Sequence, residues 1–127
     1  MADEARIRDT IDAYWKTFSA GDGDGWIGLW AADATMEDPV GTPLKRGTDE
    51  IRAVFDQALT AADSVELRSL GVTIVVGNEA SFAMEIRPTV GGQVFTMQVI
   101  DVMTFDDDAK ITSQRAFVDF SKMRPAE

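Results

Sequence analysis

The chain has 127 residues, 45% of them apolar, carries a formal charge of −10 and contains neither cysteine nor histidine. That length gives one domain, residues 1–127, able to bury roughly two thirds of its unfolded surface, and no apolar run approaches the roughly 20 residues needed to cross a bilayer. The charge disfavours nucleic acid and anionic membranes, while the missing residues remove disulfides, thiol and histidine-dependent nucleophiles and most zinc chemistry, leaving proton transfer to carboxylates, tyrosine, lysine or water.

The chain opens Met1-Ala2-Asp3-Glu4-Ala5-Arg6 without the basic start and apolar segment of a signal peptide, so a cytoplasmic location is the default expectation. Residues 3–20 read as a helix, because Ile7, Ile11, Tyr14, Trp15 and Phe18 recur at spacings of three and four and form one apolar stripe. Gly21 closes it. Asp22 and Asp24 then offer caps for a short second helix with Trp26, Leu29 and Trp30 facing inward.

The stretch Ala34-Thr35-Met36-Glu37-Asp38-Pro39-Val40-Gly41 reads as a strand ending in a turn. Alternation puts Ala34, Met36 and Asp38 on one face, so an acid lies at a strand end on the apolar side, a candidate general base. Residues 42–47 form a loop or a short returning strand. Thr48 is placed to cap a third helix, with Asp49 and Glu50 in its first turn, Ile51, Val54, Phe55, Ala58 and Leu59 on its inner face, and an end near Asp63.

From Ser64 the pattern changes to four long antiparallel strands, 65–76, 79–90, 93–106 and 110–123, separated by Gly77-Asn78, Gly91-Gly92 and Asp107-Asp108-Ala109. Three helices followed by strands make the fold class α+β. In the third of these strands one face carries Phe95, Met97, Val99, Asp101, Met103 and Phe105. Ionising a carboxylate in such a row costs several kcal/mol, so Asp101 is expected to stay protonated and act as a hydrogen-bond donor.

Tyr14, Asp38 and Asp101 thus stand on faces otherwise given to core residues. One carboxylate could take a proton from carbon while a phenol and a neutral acid donate to the enolate oxygen that forms, with no metal or organic cofactor. Each also has a plain reading: a core tyrosine, turn chemistry before Pro39, and an acid at a subunit interface. The other acids look solvated, and the Asp-rich tip at 106–108 lacks calcium-loop spacing.

The chain resembles the bacterial ketosteroid isomerases of the NTF2-like, or SnoaL-like, superfamily over nearly its whole length. The resemblance is carried by Tyr14 with Ser19-Ala20-Gly21-Asp22, by the stretch from Ala34 to Gly41, by Gly47-Thr48 before Ile51-Arg52, and by Val99-Ile100-Asp101. It implies Asp38 as base and Tyr14 and Asp101 as oxyanion donors, in a family that is the standard case of an acid kept neutral in an apolar site. It further implies a cone of curved, mainly antiparallel sheet with three helices around an apolar pocket, a small apolar 3-oxosteroid as substrate, no cofactor, and a homodimer. The pocket walls expected are Phe18, Val54, Phe55, Met84, Ile86, Met97, Val99, Ala116 and Val118.

Four positions depart from the family pattern. Phe55 stands where members carry a tyrosine supporting the oxyanion tyrosine, Trp30 replaces another supporting Tyr or Phe, Val118 stands for a large aromatic, and Gln114 replaces an apolar pocket residue. Two other classes stay open on the same fold. A limonene-epoxide-hydrolase-like enzyme would need Arg115 or Arg87 inside the pocket, and a non-catalytic binding module would leave the three polar positions unexplained.

Overall fold

A computed structural model describes residues 1–127. Helix α1 (Glu4–Ser19) starts at Asp3, whose side chain accepts from the Arg6 N–H, and buries Ile7, Ile11, Tyr14 and Phe18 as its stripe requires. Helix α2 (Gly23–Ile27) starts at Asp22 in the same way, with the Gly25 N–H as donor. It is shorter than the sequence implies: Trp30 opens β1 (Trp30–Glu37) instead of closing the helix. Trp30 is buried all the same.

After β1 the chain returns as a two-residue strand, β2 (Lys45–Arg46), which pairs Thr35 with Arg46 and Met36 with Lys45. Helix α3 (Gly47–Ala61) follows directly. Thr48 does not cap it. Gly47, at φ +82°, turns the chain one residue earlier, and Glu50 reaches back to accept from the Arg46 N–H at 2.9 Å.

The strands β3 (Ser64–Val76), β4 (Glu79–Val90), β5 (Gln93–Phe105) and β6 (Ile111–Val118) form the antiparallel meander. Gly91 and Gly92 both hold positive φ, as a two-residue hairpin turn demands. The sheet order is β2-β1-β6-β5-β4-β3, with β1 parallel to β6 and the other pairs antiparallel. Register shifts between Ser69 and Thr73, around Gly71, and between Trp30 and Thr35 bend the sheet. Helix α1 packs over β3 and α3 over β1, so the helices close the concave side. One cluster of 22 buried residues fills the space between.

The last strand stops at Val118, not near Met123. The Asp119 carboxylate accepts from the Ser121 N–H at 3.0 Å and from its hydroxyl at 2.6 Å, folding Phe120–Lys122 into a 3₁₀ turn. A short strand β7 (Arg124–Pro125) then pairs with β5 at Phe95 and Thr96.

Candidate active site

Asp38 follows the last residue of β1 on the face that buries Ala34 and Met36. Its neighbours are fixed from the other side. Glu37 accepts from Arg115 Nε at 2.8 Å and from the Gly41 N–H at 3.0 Å, and the Val40 N–H donates to the Ala116 carbonyl at 2.8 Å. The Asp38–Pro39 peptide bond is cis. The acid is therefore held to β6 by its flanking residues while its own side chain turns inward.

Tyr14 and Asp101 reach the same interior from α1 and from the middle of β5, where Asp101 pairs with Phe82 on one side and Ala116 on the other. Asp101 is 0% exposed. Its Oδ1 accepts from Gln114 Nε2 at 2.9 Å, and its Oδ2 has no partner. The Tyr14 ring packs 5.8 Å from Trp26, 6.4 Å from Trp30 and 6.5 Å from Phe82.

A cavity of about 320 Å³ opens against Tyr14 and Asp38, while Asp101 is enclosed and does not line it; 18 residues form its wall, 16 of them hydrophobic. The acid Asp38 and the phenol Tyr14 are the polar groups of that lining. Of the walls expected from sequence, Phe18, Val54, Met84, Ile86 and Met97 line it. Phe55, Val99 and Ala116 do not, because they are buried a layer behind: Phe55 meets Phe18 edge to face with centroids 4.8 Å apart, and Val99 and Ala116 sit within the sheet's core face. Val118 does not line it either, since the strand ends there and the residue borders an outer groove with Val40, Gln98 and Phe117. That groove, about 520 Å³ and open, contains none of Tyr14, Asp38 or Asp101.

Sequence reading missed the far wall, formed by Ala61, Ala62, Pro88, Val90, Phe120 and Met123. The turn at Asp119 was the available signal for the last two. Arg115 pairs with Glu37 at the surface and Arg87 with Glu85 at 2.8 Å, so neither arginine enters the cavity.

Residues 11–114 match the family model of the SnoaL-like domain. The chain belongs to the SnoaL-like family. A steroid Delta-isomerase of Nocardioides simplex is 38% identical over 113 residues, covering 89% of this chain and 89% of that protein, in keeping with the resemblance to ketosteroid isomerases. Among solved structures, the epoxide hydrolase/cyclase-like enzyme SalBIII, of pyran ring formation in the polyether salinomycin, has a TM-score of 0.88 at 24% identity, with 99% of this chain and 100% of that chain covered. RV0760c of Mycobacterium tuberculosis has a TM-score of 0.85 at 18% identity, with the same 99% and 100% covered. These two likenesses speak to the fold, which is the SnoaL-like α+β cone with three helices and a curved mixed sheet.

Within this SnoaL-like interior the three polar groups are set apart electrostatically. Burial raises the Asp101 carboxyl well above the ordinary carboxylate range, the charge of Asp38 raises it further, and the Gln114 amide opposes both. Asp38 is raised by burial too, against the Gln114 amide and the positive charge of Lys45. Asp38 borders the cavity and has a cation near it, whereas Asp101 is fully enclosed, so the charge of Asp38 adds to burial in opposing the ionisation of Asp101. Burial and both acids also raise the Tyr14 phenol well above 10, so it remains a donor; the Trp26 indole N–H, which closes no hydrogen bond of its own, acts the other way.

The departures at Phe55 and Trp30 have a structural form. Trp26 packs 5.3 Å from Trp30 and 5.3 Å from Phe55, so Tyr14 is held by an aromatic cluster where a chain of phenols would bond it.

Proposed function

We propose that this domain is a steroid Δ5-3-ketoisomerase, moving a C=C bond of a 3-oxosteroid from the β,γ to the α,β position. Asp38 takes the proton from C4 and returns it to C6, while Tyr14 and neutral Asp101 donate hydrogen bonds to the oxygen of the dienolate between the two steps. The proton and the electron pair stay within the substrate and one side chain. The mechanism therefore asks for no metal or organic cofactor.

The observation that carries this reading is the polarity of the cavity: an acid and a phenol in an otherwise apolar wall, with a second, fully buried acid nearby whose ionisation burial opposes. Such a space favours a flat apolar ligand whose single polar head lies at the acid and the phenol. The relationship to a protein named steroid Delta-isomerase supports the same assignment. Mixing the protein with 5-androstene-3,17-dione and following the conjugated enone absorbance tests it. A protein-dependent rise is expected, and its absence at substrate saturation overturns the assignment.

The same reading includes a homodimer. Its support is the outer sheet face, where Ile74, Ile100 and Phe117 are all more than 40% exposed. Sedimentation should give twice the chain mass for the native protein and the single mass for Ile100→Lys. A monomeric native protein would remove the dimer from the reading.

A further inference from the structure

We propose that Gln114 is a positioning residue for Asp101, fixing which of its oxygens accepts and which carries the hydrogen, so that Oδ2 is left as the donor. The inference rests on the reading of Asp101 as a neutral donor. A neutral carboxyl has one carbonyl oxygen and one hydroxyl, and an apolar site by itself does not choose between the two arrangements. An amide N–H does choose. Gln114 Nε2 donates to Oδ1 at 2.9 Å, so Oδ1 is held as the carbonyl and the hydrogen belongs on Oδ2. That oxygen is buried and has no partner in the chain.

The side chain has little else to do. Gln114 is 1% exposed and lies between Met36 of β1 and Met103 of β5 in the sheet register, neither of which offers its amide a strong acceptor. Its Oε1 makes no hydrogen bond and so takes no hydrogen from Asp101. The same amide opposes the upward pull of burial on the Asp38 carboxyl. On Asp101, the amide points the hydrogen away from itself. Had the amide the reverse orientation, Asp101 would spend its hydrogen on Oε1 and have none for a substrate oxygen.

The titratable and charged groups acting on this pair are Tyr14 from α1 and Lys45 from β2, besides the two acids themselves. Asp101's strand neighbours, Phe82 and Ala116, carry no charge. Gln114 does not line the cavity. Its replacement should therefore change the chemistry and leave the binding of the apolar ligand alone.

The test compares wild type, Gln114→Met and Gln114→Glu by difference infrared of the protonated Asp101 carbonyl and by kinetics on 5-androstene-3,17-dione. In Gln114→Met the band should move to higher wavenumber, because the carbonyl has lost its donor. kcat should fall about tenfold, less than the roughly 10²- to 10³-fold of deleting a donor outright, with KM unchanged. Gln114→Glu should keep the wild-type band while the introduced acid is protonated and lose it as that acid ionises, which decides the point if Gln114→Met does not fold. An unmoved band in both variants overturns the proposal. So does a moved band with kcat equal to or above wild type, since the amide would then be consuming the hydrogen. Should wild type fail to isomerise the steroid, the functional assignment falls by itself, and the band still decides whether Gln114 sets the hydrogen on Asp101.

Discussion

A carboxyl that is fully buried and bonded through one oxygen only is pushed toward its neutral form, because ionised it would need partners this interior does not supply. Asp38 is raised by burial as well, but the cavity on one side and Lys45 nearby offset part of that, and the proposed mechanism gives the two acids opposite tasks. Asp38→Asn keeps the size and a polar head but cannot take a proton. Turnover is expected to fall by several orders of magnitude while ligand binding, followed by tryptophan fluorescence, persists; turnover near wild type would take Asp38 out of the mechanism. Tyr14→Phe removes one donor and should cost about 10²- to 10³-fold in kcat. An unchanged rate would mean that other groups hold the oxyanion. Period-two alternation made Asp101 legible in the sequence, and the helical stripe did the same for Tyr14, because both signals are local. The partnership of Gln114 with Asp101 was not legible. It depends on the β5–β6 register, which pairs Met103 with Gln114 and Asp101 with Ala116 and so sets the two polar side chains on a diagonal.

At the scale of elements, the C-terminal segment is where local pattern and structure part. Residues 110–123 alternate well enough to read as one strand, yet the Asp119 side chain satisfies two donors of Ser121 and bends the chain after Val118. Without that bend, Phe120 and Met123 would continue the sheet edge; with it, they form part of the cavity wall. Trp30 is the converse, a helix-like spacing overridden by pairing with Ile111 on β6. In both cases the deciding contact was either a single side-chain turn or a partner distant in sequence. Phe120 is 51% exposed and so contributes little to folding, but a ligand in the cavity would cover it. Phe120→Ala should leave the urea midpoint unchanged and weaken steroid binding by about 1 kcal/mol, roughly a fivefold rise in KM. A lowered midpoint with unchanged KM would make Phe120 a structural residue.

Over the whole molecule, acids outnumber bases by 22 to 12, and their pKa values are moved in two directions. Glu37, Glu85, Asp107 and Asp119 are lowered by hydrogen bonds from Arg115, Arg87, the N-terminus and Ser121 respectively, so each contributes stability above its unfolded pKa that is lost as pH falls through the folded value. These groups lie at or near the surface, where such pairs are worth little. Asp38 and Asp101 are raised by burial and contribute the other way: their stability is fully present below the unfolded value of about 3.9 and fades as pH rises through the folded one. Above pH 4 the unfolded chain gains from ionising Asp101 while the folded chain does not, a loss of up to about 1.4 kcal/mol per pH unit until the folded pKa is reached. Asp101→Asn lacks this loss, and it leaves the surface charges and Asp38 in place. Urea unfolding of both proteins from pH 5 upward should therefore show the variant gaining on wild type with each step in pH, then keeping a constant offset from it once the buried acid titrates. Curves that run parallel from pH 5 onward would give Asp101 an ordinary pKa, and a charged Asp101 cannot donate to an oxyanion.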